Sequence, residues 1–235
     1  MKTFLLNLDR CTERLEHMRQ VLAALNFPYE RVSAICGAEL SEEELARFFD
    51  ADRSLAANRS RMTVGEIGCA LSHDLIYQRM MEEGIECALV LEDDIDISPE
   101  FPRALECVRK SLDVTRPQVF LFSYFRNQNS FESSAPVSTF EIVRMKSMAC
   151  TDAYVITLPA AELIYHANYP VMTCSDQFRR WHRHFGLELY RCLPATVRQN
   201  PVFGSEIGKR QTGASGFKRL WYTIKDAYGL WRDGR

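Results

Sequence analysis

The sequence has no run near the ~18 consecutive apolar residues that a membrane-spanning helix requires, so a helical membrane protein is not expected. It has no Cys-x-x-Cys pair. Its eight cysteines (Cys11, Cys36, Cys69, Cys87, Cys107, Cys150, Cys174 and Cys192) are never closer than 18 residues, which removes the common zinc and dithiol motifs. It has no excess of positive charge. A net charge of −2 gives no support for a nucleic-acid partner, which calls for a basic face. No internal repeat is visible.

Two further absences narrow the function. The nearest approach to a phosphate-binding Walker loop is "GSEIGKR", Gly204 to Arg210, one spacer short and with Arg where Ser or Thr belongs. An aspartyl-phosphate enzyme needs paired acids after its first strand, and "NLDRC" offers only Asp9. An export leader is not expected either. In "MKTFLLNLDR" the apolar stretch Phe4 to Leu6 is interrupted by Asn7 and Asp9, whereas a leader needs roughly 7–15 apolar residues. The expectation is a first buried strand in a cytosolic protein, with cysteines acting as small buried hydrophobes in a reducing compartment.

With 46% hydrophobic and 26% charged residues, the 235-residue chain can bury a full core. Residues 2–8 read as a strand. Asp9 or Thr12 is placed to cap a helix whose Leu15, Met18, Leu22 and Leu25 form one stripe, ended by Pro28. "YERVSAI" alternates like a second strand. Ser41 with Glu44, and Thr63 with Glu66, have capping-box spacing and predict a short helix to about Phe49 and a long one to Glu83, stopped by Gly84. Residues 50–62 read as a polar loop. The stretch through "ALVLEDDIDI" reads as a strand, Pro99 and Pro102 open a helix to about Ser111, and "QVFLFSY" is another strand. Residues 126–138 are expected to be a mobile loop, residues 139–157 two strands, Pro159 the start of a helix to about Ala167, and 176–184 a last helix. Strands alternating with helices predict an α/β domain over residues 1–207 with a mainly parallel sheet. Ligands then bind beyond the carboxyl ends of its strands.

The acids at that rim carry the chemistry. Glu92, Asp93 and Asp94 end an apolar run, and Asp96 follows. Adjacent carboxylates repel unless water or a cation compensates them. If the strand stays extended, residues 92 and 94 point the same way and suit a hard cation, Mg²⁺ or Mn²⁺. The alternative is a solvated turn with Asp96 or Ser98 capping the next helix. Glu66 and His73, seven apart, share a helix face. His73 is a candidate for contacting a diphosphate or orienting an acid, or is a hydrogen-bonded structural residue. His182 and His184 read as surface.

"FLLNLDRCTERLEHM", "RVSAICGAEL", "TVGEIGCALSH" and "ALVLEDDI" occur in the order and spacing of glycosyltransferase family 25. These bacterial lipopolysaccharide and lipooligosaccharide enzymes are related to collagen galactosyltransferases. "TDAYVITLPAAELI", Asp176 and "PATVRQNPVFGSEI" resemble its later blocks, so the likeness covers roughly residues 2–207. The resemblance implies a GT-A fold, a UDP-sugar donor (usually UDP-galactose), a divalent cation, and transfer with inversion to a glycolipid or oligosaccharide. It puts the family's acidic motif on Glu92, Asp93 and Asp94, with Asp94 the first choice as metal ligand and Glu92 on metal, ribose or sugar. Inversion needs one base on the acceptor hydroxyl. Asp176 is the candidate, its alternative being a helix N-cap, and Glu206 is the reserve. Asn7, Asp9 and Arg10, at the end of the first strand, are candidates for base, ribose or phosphate contacts; Arg14 is expected to be solvated. The alternatives are the same machinery with glucose or an N-acetylhexosamine, or a catalytically silent sugar-nucleotide-binding scaffold.

The tail differs in character. Residues 208–235 hold seven Lys or Arg against two acids, a net of +5, while residues 1–207 carry −7. "FKRLWYTIKDAYGLW" interleaves aromatic and basic residues. That composition fits an interfacial helix on an anionic membrane, which would place the protein on the cytoplasmic face of the inner membrane, or a helix packed on the domain.

Overall fold

The computed structural model describes residues 1–58, 60–123, 139–204 and 206–207. Strand β1 (Lys2–Asn7) is followed by α1 (Thr12–Ala24), β2 (Glu30–Ser33), a 3-10 turn (Gly37–Glu39), α2 (Glu42–Phe48), α3 (Ala51–Asn58) and α4 (Val64–Glu83). Next come β3 (Cys87–Glu92), β4 (Ile95–Ile97), α5 (Phe101–Ser111), β5 (Gln118–Leu121), β6 (Glu141–Met145) and β7 (Ala153–Thr157). The last elements are α6 (Leu158–Asn168), α7 (Phe178–Phe185), β8 (Glu188–Leu193) and β9 (Val197–Gln199).

Seven strands form one sheet in the order β2-β1-β3-β7-β5-β8-β6, and β4 pairs with β9 in a second, two-stranded sheet. The pairs β1–β2, β1–β3 and β5–β8 are parallel; β3–β7, β5–β7 and β6–β8 are antiparallel. The expected parallel arrangement describes the amino-terminal half, and β7 and β6 make the whole sheet mixed. The side-chain alternation of a strand splits the core into two layers. Phe4, Leu6, Val90, Leu121 and Tyr154 join α4, α6 and α7 on one face. Leu5, Leu89, Leu91, Phe120 and Val155 join α1 and α5 on the other.

Local chemistry sets the elements that frame the site. Both capping boxes form: Ser41 with Glu44 opens α2 and Thr63 with Glu66 opens α4. Gly84 ends α4 at φ +63°, a left-handed conformation that suits glycine. α4 lies tightly on the turn after β2: a Cβ on Gly68 would come 2.5 Å from the Gly37 nitrogen, so a larger residue would push this turn away.

The sequence reading needs correcting in four places. Residues 50–62 are not a loop throughout: α3 occupies 51–58, its Arg53 amide held by Asp50 Oδ1 at 2.9 Å and Asn58 Nδ2 donating to Met172 O at 2.8 Å. Its Leu55 is exposed, so no apolar stripe announces it. Neither Asp9 nor Thr12 caps α1; the N-cap is Cys11, without a side-chain bond. The "ALVLEDDIDI" strand breaks after Glu92, where Asp93 and Asp94 turn the chain towards β9. Strands β8 and β9 follow the last expected helix, where no strand was expected. The segment expected as a mobile loop, 126–138, and the tail, 208–235, lie outside the described residues.

Candidate active site at the carboxyl ends of β1 and β3

β1 and β3 are parallel neighbours with Leu6 paired to Glu92, so their carboxyl ends deliver Asn7 and the acidic cluster to one rim. That rim borders a cavity of about 420 Å³, within the size range of small-molecule sites. One wall is the segment Ile35 to Ala38 after β2; another is the amino end of α4 at Thr63, Val64 and Gly65. The amino end of a helix offers backbone N–H groups and a positive dipole end to an anion. Arg10 and Arg14 also line the cavity, as do Glu92, Asp93 and Asp94.

The three consecutive acids have three different environments. Asp93 is buried and spoken for: Arg14 Nη1 donates to Oδ1 at 3.0 Å and Asn7 Nδ2 to Oδ2 at 2.6 Å. Glu92 Oε1 accepts from Thr151 Oγ1 at 2.6 Å and lies 3.2 Å from His73 Nε2. Burial works against the Glu92 carboxylate, but His73 and Thr151 outweigh it and hold its pKa below the usual range. Asp94 Oδ2 accepts from Gln199 Nε2 at 3.1 Å. Burial, and then the charge of Glu92, push Asp94 up to about 6. Two nearby carboxylates with opposite shifts are a site that a cation would relieve, because it would replace the proton Asp94 tends to keep. Carboxylate oxygens are the donors hard cations prefer. Glu92 and Asp94 therefore fit Mg²⁺ or Mn²⁺, whereas both Asp93 oxygens are occupied by protein partners.

The other expected site residues fall in distinct places. Asn7 is buried, its amide committed to Asp93, to Cys11 O at 3.1 Å and, through Oδ1, to Arg31 Nε at 2.9 Å. It lines the cavity and, through Asp93, positions the acidic turn. Asp9 does not line the cavity; it is paired with Arg31 and with Ser33 Oγ at 2.8 Å, and is mostly exposed. Arg10 lines the cavity, with Nη1 on Cys36 Sγ at 2.7 Å and Nη2 on Glu206 Oε2 at 2.7 Å. Glu206 lines it too, held below the usual carboxylate pKa by Arg10. His73 is buried between Glu92 and Tyr154, whose OH lies 2.7 Å from Nδ1, so it orients an acid from within the core.

Asp176 is half-buried and does not line the cavity, but it adjoins its acidic end. The neighbouring Ser175 Oγ lies 3.3 Å from both Thr151 Oγ1 and Cys69 Sγ. The charge of Asp176 helps to raise the Cys69 thiol pKa, after burial and Glu92.

The sequence pointed to a solvated Arg14 and gave no role to Thr151, Asp152 or Gln199. Arg14 is buried against Asp93, not solvated, and its Nη2 also donates to the Gly204 carbonyl. Asp152 sits beside Glu92, its carbonyl accepting the Glu92 amide at 2.8 Å and its Oδ1 accepting from Ser123 Oγ at 2.6 Å. Burial pushes Asp152 up to about 7. An acid placed immediately before the apolar run of β7 was the available signal.

The chain matches the family model described as Glycosyltransferase family 25 (LPS biosynthesis protein) over residues 1–179. A glycosyltransferase 25 family member of Drosophila melanogaster is 32% identical over 166 residues, 68% of this chain and 27% of that protein. Procollagen galactosyltransferase 2 of Homo sapiens is 26% identical over 182 residues, 74% of this chain and 29% of that protein. The chain thus spans less than a third of the length of these two relatives. The crystal structure of a glycosyltransferase involved in the glycosylation of the major capsid of PBCV-1 overlaps 96% of this chain and 100% of that one, at 9% identity and a TM-score of 0.38.

Proposed function

The chain belongs to glycosyltransferase family 25, and we propose that it is a metal-dependent, inverting transferase that moves galactose from UDP-galactose to a hydroxyl of a lipid-linked oligosaccharide. The observation that carries this reading is that Glu92 and Asp94 line a cavity that also presents Arg10, Arg14 and the amino end of α4. That is the composition a nucleoside diphosphate bound with a cation calls for.

Glu92 and Asp94 would hold Mn²⁺ or Mg²⁺, which when bound supplies positive charge to the leaving diphosphate. His73 and Thr151 keep Glu92 ionised and fix its orientation. Arg14 and Asn7 hold Asp93 and thereby the turn that presents Asp94. Arg10, 2.7 Å from Glu206, is placed to exchange that partner for a phosphate oxygen. The acceptor oxygen attacks the anomeric carbon, the bond from that carbon to the diphosphate breaks, and the hydroxyl proton passes to a carboxylate. Asp176 is the proposed base. Glu206, stabilised as a carboxylate by Arg10, is the reserve.

Galactose as the sugar is supported by the names of the procollagen galactosyltransferases among the relatives, and a glycolipid acceptor by the family's description as a lipopolysaccharide biosynthesis protein. No helix among the described residues is long and apolar enough to cross a membrane. Residues 1–207 form the proposed catalytic unit. Attachment to the cytoplasmic face of the inner membrane through the basic, aromatic tail 208–235 is part of the proposal and rests on composition.

The test is turnover of a panel of UDP- and other nucleotide sugars by purified protein, with Mn²⁺ and after chelation. Mn²⁺-dependent release of UDP from UDP-galactose is expected. Turnover of a different sugar would change the donor, turnover that survives chelation would remove the metal, and no turnover of any donor would favour a silent scaffold.

A further inference from the structure

Cys69 and His73 are four residues apart on α4, so one turn of helix brings them to the same face. Both line the cavity, as does Glu92. One sulfur, one imidazole nitrogen and one carboxylate oxygen from these three residues lie within 4.8 Å of one another. The donor reading uses Glu92 and leaves this trio as a set unexplained.

We propose that Cys69, His73 and Glu92 form a binding site for a thiophilic divalent cation of the zinc class, overlapping the hard-cation pair at Glu92. A thiolate, an imidazole and a carboxylate are the donors such ions take, and three protein ligands facing a cavity leave a coordination position for water or another ligand. Mg²⁺ and Mn²⁺ gain little from a sulfur donor. The surroundings of the trio are those of a prepared site. His73 Nδ1 is anchored 2.7 Å from Tyr154 OH, which lies 2.9 Å from Tyr77 OH, all three side chains being buried. That leaves Nε2 on the Glu92 side, the arrangement a ligating histidine needs from its second nitrogen. Thr151 steadies Glu92 at 2.6 Å and Ser175 approaches the Cys69 sulfur at 3.3 Å. Burial keeps the Cys69 thiol protonated in the metal-free protein. Binding would therefore form a metal–sulfur bond and release one proton to solvent. Because Glu92 serves both sites, a zinc-class ion and a cation at Glu92 and Asp94 would compete; the binding itself does not depend on the donor reading.

The experiment uses the reduced full-length chain without nucleotide sugar. Cd²⁺ is titrated while the ultraviolet thiolate-to-metal absorption is followed, and Zn²⁺ affinity is measured against a chromophoric chelator. Wild type is compared with Cys69→Ser and His73→Gln. The expected result is a thiolate band in wild type that shrinks by one sulfur's worth in Cys69→Ser, with Zn²⁺ affinity at least about tenfold weaker in both variants. Equal bands and affinities in wild type and Cys69→Ser overturn the proposal. A readout that needs no variant is alkylation of wild type followed by peptide mapping. Zn²⁺ should slow modification of Cys69 and Mg²⁺ should not; unchanged labelling of Cys69 with Zn²⁺ overturns the site even if a variant misfolds.

Discussion

Arg14 and Asp93 form a buried ion pair, Nη1 to Oδ1 3.0 Å, between the first turn of α1 and the bend where β3 gives way to β4. The pair joins residues 79 apart in sequence and fixes the bend on which the neighbouring acids depend.

Arg14→Met keeps the apolar bulk but strands Asp93 in the interior with only the Asn7 amide. Removing one partner of a buried pair costs about 3–5 kcal/mol, because the remaining charge is left uncompensated. The double variant Arg14→Met, Asp93→Asn removes both charges and should recover part of that loss. Urea unfolding of wild type, Arg14→Met, Asp93→Asn and the double variant tests this. Equal stability of wild type and Arg14→Met would mean that the pair does not hold the bend.

Asp94→Asn keeps size and removes the charge proposed to meet the cation. Mn²⁺-dependent donor binding should be lost with the fold intact, as read by calorimetric titration and circular dichroism. In wild type a proton competes with the cation while Asp94 is protonated. Because its pKa is raised to about 6, Mn²⁺ affinity should climb as pH rises through 6 and then level off. A Mn²⁺ affinity indifferent to pH from 5 to 7, on the order of a hundredfold range of proton activity, would count against Asp94 as a ligand.

Asp152 gives a separate pH signature. Its folded pKa of about 7 lies above its unfolded value, so the folded state holds the proton more tightly. Below about pH 4 both states are protonated and nothing is lost. As pH rises towards 7 the unfolded state gains by ionising first, and stability falls by an amount on the order of a few kcal/mol. Asp152→Asn can still accept from Ser123 through its amide oxygen and removes the titration. Its stability advantage over wild type should therefore grow between about pH 4 and pH 7 and stay flat above. An advantage that is constant with pH would show that Asp152 is not the group responsible.

What could be read in the sequence was local. The two capping boxes are contained within four residues each, and both formed as spaced. The acids were recognisable because they directly follow the apolar run that buries Val90 and Leu91. What escaped was set by distant partners. The bend at Asp93 is invisible because Ile95 and Ile97 continue the strand pattern; β9, about a hundred residues on, draws them away. Arg14 looks like a surface residue until Asp93 is brought to it. α3 is held by Asp50, Ser54, Asn58 and the Met172 carbonyl in place of an apolar stripe, so periodicity could not report it.

Asp176 and Glu206 divide the last question, which carboxylate takes the acceptor proton. Glu206 lies in the cavity wall but is bound to Arg10 at 2.7 Å and faces Arg14 at 3.9 Å, so positive charge lowers its appetite for a proton. Asp176 follows Ser175, whose hydroxyl reaches Thr151 and through it Glu92, which puts this acid near the acidic end of the site. Asp176→Asn should lower turnover by roughly 10²–10⁴ while donor affinity stays near wild type, since a base acts only as the acceptor is deprotonated. Glu206→Gln should behave differently: it frees Arg10, so donor affinity should change more than the rate of the chemical step. Single-turnover transfer at saturating donor, alongside UDP-sugar titration, separates the two effects. A large loss of turnover in Glu206→Gln with Asp176→Asn unaffected would exchange their roles.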